Sequence, residues 1–189
     1  MGTTLDKQNA YAAFLRGINV GGHKTVKMDQ LKKAFESLGF KNVQTLLASG
    51  NVLFEALQTS ASVLTKTIEE KLIKVFGYEI GVLIRKIGGL QRLEEADPFK
   101  GVEVTPQTRL YITFLSEKPK SGLKVPRQSP APDKNFKIIR ATESEVCSVL
   151  SLSPGSRTVD LMGFLEKEFG RKVTTRNWNT ITRLLKQIN

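Results

Sequence analysis

Between residues 10 and 86, short extended runs and helix-periodic runs follow one another in the order strand, helix, strand, strand, helix, strand, which leaves few folds open. Residues 11–16, Tyr-Ala-Ala-Phe-Leu-Arg, form a short apolar run stopped by Gly17, as a buried strand would be. Residues 28–38 follow as a helix, with Leu31, Ala34, Phe35 and Leu38 on one face and Gly39 as its stop. Residues 43–48 and 52–55 are two strands joined by the turn Ser49-Gly50-Asn51. Ser60 or Ser62 can cap a second helix, whose stripe is Leu64, Ile68, Leu72, Val75 and Phe76, before Gly77 ends it. Tyr78, Ile80, Val82 and Ile84 then alternate as a strand up to Arg85-Lys86. This is the split βαβ order of a ferredoxin-like α/β plait (βαββαβ), two helices covering one face of a four-stranded antiparallel sheet. It predicts that the Ser49-Gly50-Asn51 turn lies at the opposite end of the sheet from the loop after the first strand.

The second half is less regular. A short helix is expected at residues 90–96, opened by Gly88-Gly89 and closed by Asp97-Pro98. Residues 109–115 are a strand with Leu110, Ile112 and Phe114 on one face and Tyr111, Thr113 and Leu115 on the other. Residues 118–133 hold four of the seven prolines and read as a loop. Residues 136–140 and 146–150 read as strands, the latter also compatible with a helix. Helices are expected at 157–169, with Leu161, Phe164, Leu165 and Phe169 inward, and at about 176–188, burying Trp178, Ile181, Leu185 and Ile188. The chain is thus expected to be α+β throughout. A ferredoxin-like subdomain at 1–87 is followed by a second α+β subdomain at 88–189 that repeats it imperfectly, with no residue-level repeat visible.

Charge narrows the function classes. The net charge is +11 over 189 residues, and it is segregated. Residues 15–33 carry +4, residues 118–140 carry +6, and residues 171–189 carry +5 with no acid. Local excess of this kind favours phosphates or an acidic surface over uniform solubilisation, although basic proteins without a specific ligand exist. The lone Cys147 excludes an intramolecular disulfide and a cysteine-cluster metal site, and the single His23 argues against zinc and Ser-His chemistry. No run is apolar enough for a membrane span and no signal pattern opens the chain. A cytoplasmic protein without metal, membrane association or cofactor is expected.

Two stretches, expected to converge on one shared site, could carry a ligand. Arg16, Gly17, Asn19, Gly21, Gly22 and Lys24 combine a glycine-rich turn with two cations at the start of a helix, an arrangement suited to phosphate or carboxylate. It matches neither the Walker nor the Rossmann spacing, and the glycines could serve only to shape a wide turn. Thr175 can cap the last helix, leaving Arg176, Asn177 and Asn179 around its first turn. Arg85 could add a further clamp. Tyr11, Phe14, Phe54, Tyr111 and Phe114 are candidate base-stacking rings of the kind RNA-recognition sheets use, but residues 50–54 lack the required aromatic spacing and core packing accounts for the rings equally well. No carboxylate pair, nucleophile-base set or metal cluster is evident.

Several of these segments resemble a known family. Phe14-Leu-Arg-Gly-Ile-Asn-Val-Gly-Gly22, Leu38-Gly-Phe40, Ser49-Gly-Asn51, Asp97-Pro-Phe99, Leu110-Tyr-Ile-Thr-Phe-Leu115 and Thr174-Thr-Arg-Asn-Trp-Asn-Thr180 are similar to the motifs of a mainly bacterial family, domain of unknown function 1697. The resemblance implies an α/β plait in two ferredoxin-like halves and implies no activity. His23 stands where the family often has an Asn- or Lys-containing turn, and the proline-rich 118–133 stands where it has a helix-like connection.

The function expected from these observations is a binding module whose cationic surface takes nucleic acid, RNA in particular, or another phosphate-bearing ligand. The alternatives are an enzyme acting on a small phosphorylated or carboxylated metabolite in a cleft between the two halves, or a self-association domain without a ligand.

Overall fold

The computed structural model describes residues 8–20, 24–119, 125–128, 135–152 and 161–188. Its chain divides into two compact units, Met1–Arg92 and Leu93–Asn189.

The first unit contains β1 (Gln8–Leu15), α1 (Met28–Glu36), β2 (Lys41–Leu46), β3 (Asn51–Leu57), α2 (Ala61–Phe76) and β4 (Val82–Lys86), followed by α3 (Ile87–Glu95). Its antiparallel sheet has the order β2-β3-β1-β4, the ferredoxin-like order. Tyr11, Ala13 and Leu15 alternate onto the face covered by the helices, where Leu31 and Phe35 of α1 and Leu64, Ile68 and Leu72 of α2 are buried with them. Phe54 is central to this layer, stacked on Tyr11 and Phe40 and met edge-on by Phe35, with ring centroids 4.7–5.6 Å apart. The Ser60 hydroxyl accepts from the Val63 N–H to cap α2, and Gly77 closes that helix at φ +80°, which a glycine adopts without steric cost.

Three details depart from the sequence reading. Val75 is exposed rather than part of the α2 stripe. The last strand begins only at Val82, because the Tyr78 hydroxyl donates to the Thr25 carbonyl and Ile80 is buried in the core, anchoring this stretch outside the ladder. Helix α3 follows β4 without a connecting residue and takes in Gly88 and Gly89, so the glycines do not mark its start.

The second unit contains β5 (Thr108–Leu115), β6 (Arg127–Gln128), β7 (Phe136–Ala141), β8 (Glu145–Ser151), α4 (Leu161–Phe169), β9 (Val173–Asn177) and α5 (Trp178–Leu185). Its sheet order is β6-β7-β8-β5-β9. Setting aside the two-residue β6, the remaining four strands repeat the β2-β3-β1-β4 order of the first sheet, and each fourth strand runs directly into a helix. The fold is therefore α+β with two ferredoxin-like halves. The imperfection lies between β5 and β7, where among the described residues β6 stands in place of a helix. Leu115, Val146, Val173, Phe136 and Ile138 share a core with Leu165 of α4. The expected faces of residues 109–115 are those of the ladder, with Thr113 opposite Val146 and Thr175, and Ile112 opposite Cys147 and Arg176.

The final helix starts later than its sequence suggests. Val173, Thr174 and Thr175 are β-branched and pair with β5, so the strand claims residues to 177 and the helix begins at Trp178. Thr175 is consequently no cap: its hydroxyl lies 2.9 Å from that of Thr113. Ile181, Leu184 and Leu185 are buried, whereas Trp178 is half-buried against Phe99 and Ile188 is exposed. The expected start of helix α4, residues 157–160, and most of the proline-rich 118–133 lie outside the described residues.

Candidate anion-binding site

In the first unit, three loops meet at one end of the sheet. Antiparallel pairing sets Phe14 of β1 opposite Asn51, the first residue of β3, and Leu15 opposite Val82, the first residue of β4. The chain leaving β1 therefore emerges beside the β2–β3 turn and the approach to β4. The Leu15 N–H donates to the Gly50 carbonyl and the Arg16 N–H to the Gly81 carbonyl, both at 2.8 Å. This overturns the expectation that the Ser49-Gly50-Asn51 turn lies at the far end of the sheet. In a split βαβ unit β1 and β2 run parallel, so their C-terminal ends share one edge, and the sequence reading had that direction reversed.

The junction is fastened by two asparagines. Asn19, at φ +55°, donates through Nδ2 to the Val26 carbonyl at 3.0 Å and the Ala48 carbonyl at 2.7 Å, while its Oδ1 accepts from the Val26 N–H at 2.8 Å. One side chain thus closes the loop from 19 to 26 and ties it to the β2–β3 turn. Asn51, fully buried, donates to the Leu46 carbonyl and the Ser49 hydroxyl, both at 2.9 Å. Both of these partners lie within five residues, so the Ser-Gly-Asn signature is the signal from which this bracket could have been read. Asn19→Ala removes three bonds and a residue tolerant of the left-handed region, and is expected to cost about 1–3 kcal/mol in a chemical denaturation experiment.

The cations stand on this frame. Arg16 is half-buried. The Lys24 ammonium donates to the Glu79 carbonyl at 2.7 Å and lies 6.0 Å from the centre of the Tyr78 ring, so Lys24 also latches the loop to the segment before β4. The N-terminus of α1 belongs to the same end, and its N-cap, Lys27, makes no side-chain capping bond. Gly17 is exposed at φ +60°, whereas Gly21 and Gly22 lie outside the described residues, as does His23. Arg85 is elsewhere: it pairs with Ala12 inside the sheet, away from the Leu15–Val82 end, and its Nη1 donates to the Ile84 carbonyl.

In the second unit, Arg176 is the penultimate residue of β9. Its Nη1 donates to the Thr174 hydroxyl at 2.8 Å and the Thr175 carbonyl at 2.9 Å. Burial lowers its pKa to about 10, which leaves the guanidinium charged at neutral pH. Arg85 and Arg176 occupy the same position in their units, one residue before the end of the fourth strand, each bonded to the carbonyl of the preceding residue. This residue-level correspondence was invisible in the sequence because the neighbours differ. Asn177, the N-cap of α5, accepts from the Asn179 N–H at 2.9 Å.

A family model described as "Protein of unknown function (DUF1697)" matches residues 8–141. The chain belongs to this family. Among solved structures, this family member is similar to the conserved bacterial protein SP0830 from Streptococcus pneumoniae, with a TM-score of 0.69 and 18% identity. The match covers 97% of this chain and 100% of that one, and the likeness is one of fold. No curated protein matches the sequence. The family match spans the whole of the three-loop junction, whose Arg16, Asn19, Gly50 and Asn51 all fall within it.

Among the described residues no helix of this family member is long and apolar enough to cross a membrane. No group of three or more His, Cys, Asp or Glu that could hold a metal ion occurs among them either.

Proposed function

We propose that the protein binds a small phosphate-bearing ligand at the loop end of its first unit. Arg16 and Lys24 supply charge there, and the exposed Gly17 adds a backbone N–H donor. The observation that carries this reading is a crowding of left-handed backbone. Gly17, Asn19, Lys24, Leu47 and Gly50 all have φ between 49° and 72°, and all belong to the two loops that meet at this end. For Lys24 and Leu47 that conformation costs roughly 1–2 kcal/mol each, a cost that concentrates where a chain must hold a shape for a ligand. Residues of this conformation alternating with ordinary ones turn successive N–H groups to one side, which forms a concavity for an anion.

A small ligand fits better than single-stranded RNA bound by stacking. Of the five candidate rings, Tyr11, Phe14, Phe54 and Phe114 are buried and only Tyr111 is half-buried, so four of the rings that bases would stack on are occupied in packing. The free Cys147 accords with a reducing compartment such as the cytoplasm.

Titration calorimetry with pyrophosphate, a nucleoside monophosphate and an RNA oligonucleotide tests the reading. Pyrophosphate or the monophosphate is expected to bind, more weakly as salt rises, and Arg16→Ala is expected to weaken binding at least about tenfold. Absence of binding by all three probes, or an Arg16→Ala variant that binds as the unaltered protein does, overturns it.

A further inference from the structure

We infer that Gly81 is a positioning residue of this anion site, its missing side chain leaving the space in which Arg16 is aimed. The inference rests on the reading of the loop end as an anion site. Gly81 stands immediately before β4, and its φ lies outside the left-handed region, so backbone conformation gives no reason for a glycine there. The entry to a strand ordinarily favours a β-branched or aromatic residue, and glycine weakens it. The reason for glycine is space. A Cβ built on Gly81 would lie 3.3 Å from Cδ, 3.6 Å from Nη1 and 3.9 Å from Cβ of Arg16. Outside the adjoining residues 80 and 82, these are its three nearest neighbours, and all belong to that one side chain.

The same two residues are joined through the backbone, Arg16 N–H to Gly81 carbonyl at 2.8 Å. The arginine is thus pinned at its root and laid across a residue with no side chain to deflect it. An added methyl must push the stem by a few tenths of an ångström, and a branched side chain must push it further. Either change re-aims the guanidinium while leaving the charge of the protein unchanged.

The test measures pyrophosphate affinity and the thermal midpoint for Gly81→Ala, Gly81→Val, Arg16→Ala and the double variants. Gly81→Ala is expected to leave the midpoint within a few degrees of the unaltered protein and to weaken binding about threefold, and Gly81→Val about tenfold. In the Arg16→Ala background neither change should weaken binding further, because the group being aimed is gone. A Gly81→Val variant that binds as tightly as the unaltered protein overturns the inference, as does an equal loss with and without Arg16. Should Gly81→Val fail to fold, the alanine pair carries the same comparison. An Arg16→Ala variant that retains full pyrophosphate affinity removes the anion site itself and the assignment of Gly81 with it. Loss in Arg16→Ala but none at Gly81 removes only the assignment.

Discussion

Gly50→Ala is expected to destabilise the protein by about 2–5 kcal/mol, the sum of a backbone and a packing cost. At φ +72° a side chain is strained whatever the space around it. Here there is also no space, because a Cβ would come within 2.7 Å of Ile18 Cδ1 and 2.8 Å of Leu15 Cβ. The isoleucine methyl can rotate aside, but Leu15 Cβ is fixed to a central strand whose own N–H is bonded to the Gly50 carbonyl. The β2–β3 turn and the end of β1 must therefore separate. Urea denaturation measures the loss, and a variant within about 0.5 kcal/mol of the unaltered protein would show that the two loops are not in contact. Gly17 and Gly39 share the left-handed conformation but have nothing within 4 Å of a built Cβ, so alanine there carries the backbone cost alone.

The second large effect concerns the single thiol. Cys147 is buried in β8, and burial pushes its pKa up to about 12; the charge of Arg140 works against the rise and that of Glu145 adds to it. Only the thiolate attacks a disulfide reagent, so at pH 8 the folded protein is expected to react roughly a thousandfold more slowly than the unfolded chain. The same shift fixes the sign of a pH dependence. The folded pKa lies above the unfolded value near 9.0, so stability from this group is complete below that pH and is lost as pH rises from 9 toward 12. Within that window the slope is about −1.4 kcal/mol per pH unit, and Cys147→Ala should remove that part of the decline. Labelling of the native protein at the rate of the denatured one would refute the burial.

How much of this was legible in the sequence depends on how far apart the partners lie along the chain. The first unit was readable because its signals are local. Leu31, Ala34 and Phe35 recur at helical spacing, Ser60 and Gly77 bracket α2, and the strand order follows from connection rules. The start of α5 was misplaced because Thr175 satisfies two local rules at once, capping and strand propensity, and the pairing with β5 across the chain decides between them. The site was half legible. Arg16, Asn19 and Lys24 were singled out by composition, yet the fastening of Asn19 to Ala48 and of Lys24 to Glu79 links residues 29 and 55 positions apart. Gly81 carried no signal at all, since it sits inside an alternating run and the side chain that needs its space is far upstream.

The three-way junction also has a consequence for how the protein is made. Its pieces are contributed by residues near 16, near 50 and near 81, and the backbone bonds that join them, Leu15 to Gly50 and Arg16 to Gly81, are long-range. A nascent chain that has emerged only through α2 possesses Arg16 but not the carbonyl that pins it. The junction therefore forms only late in synthesis of the first unit, and a ribosome stalled before Gly81 displays its parts unjoined.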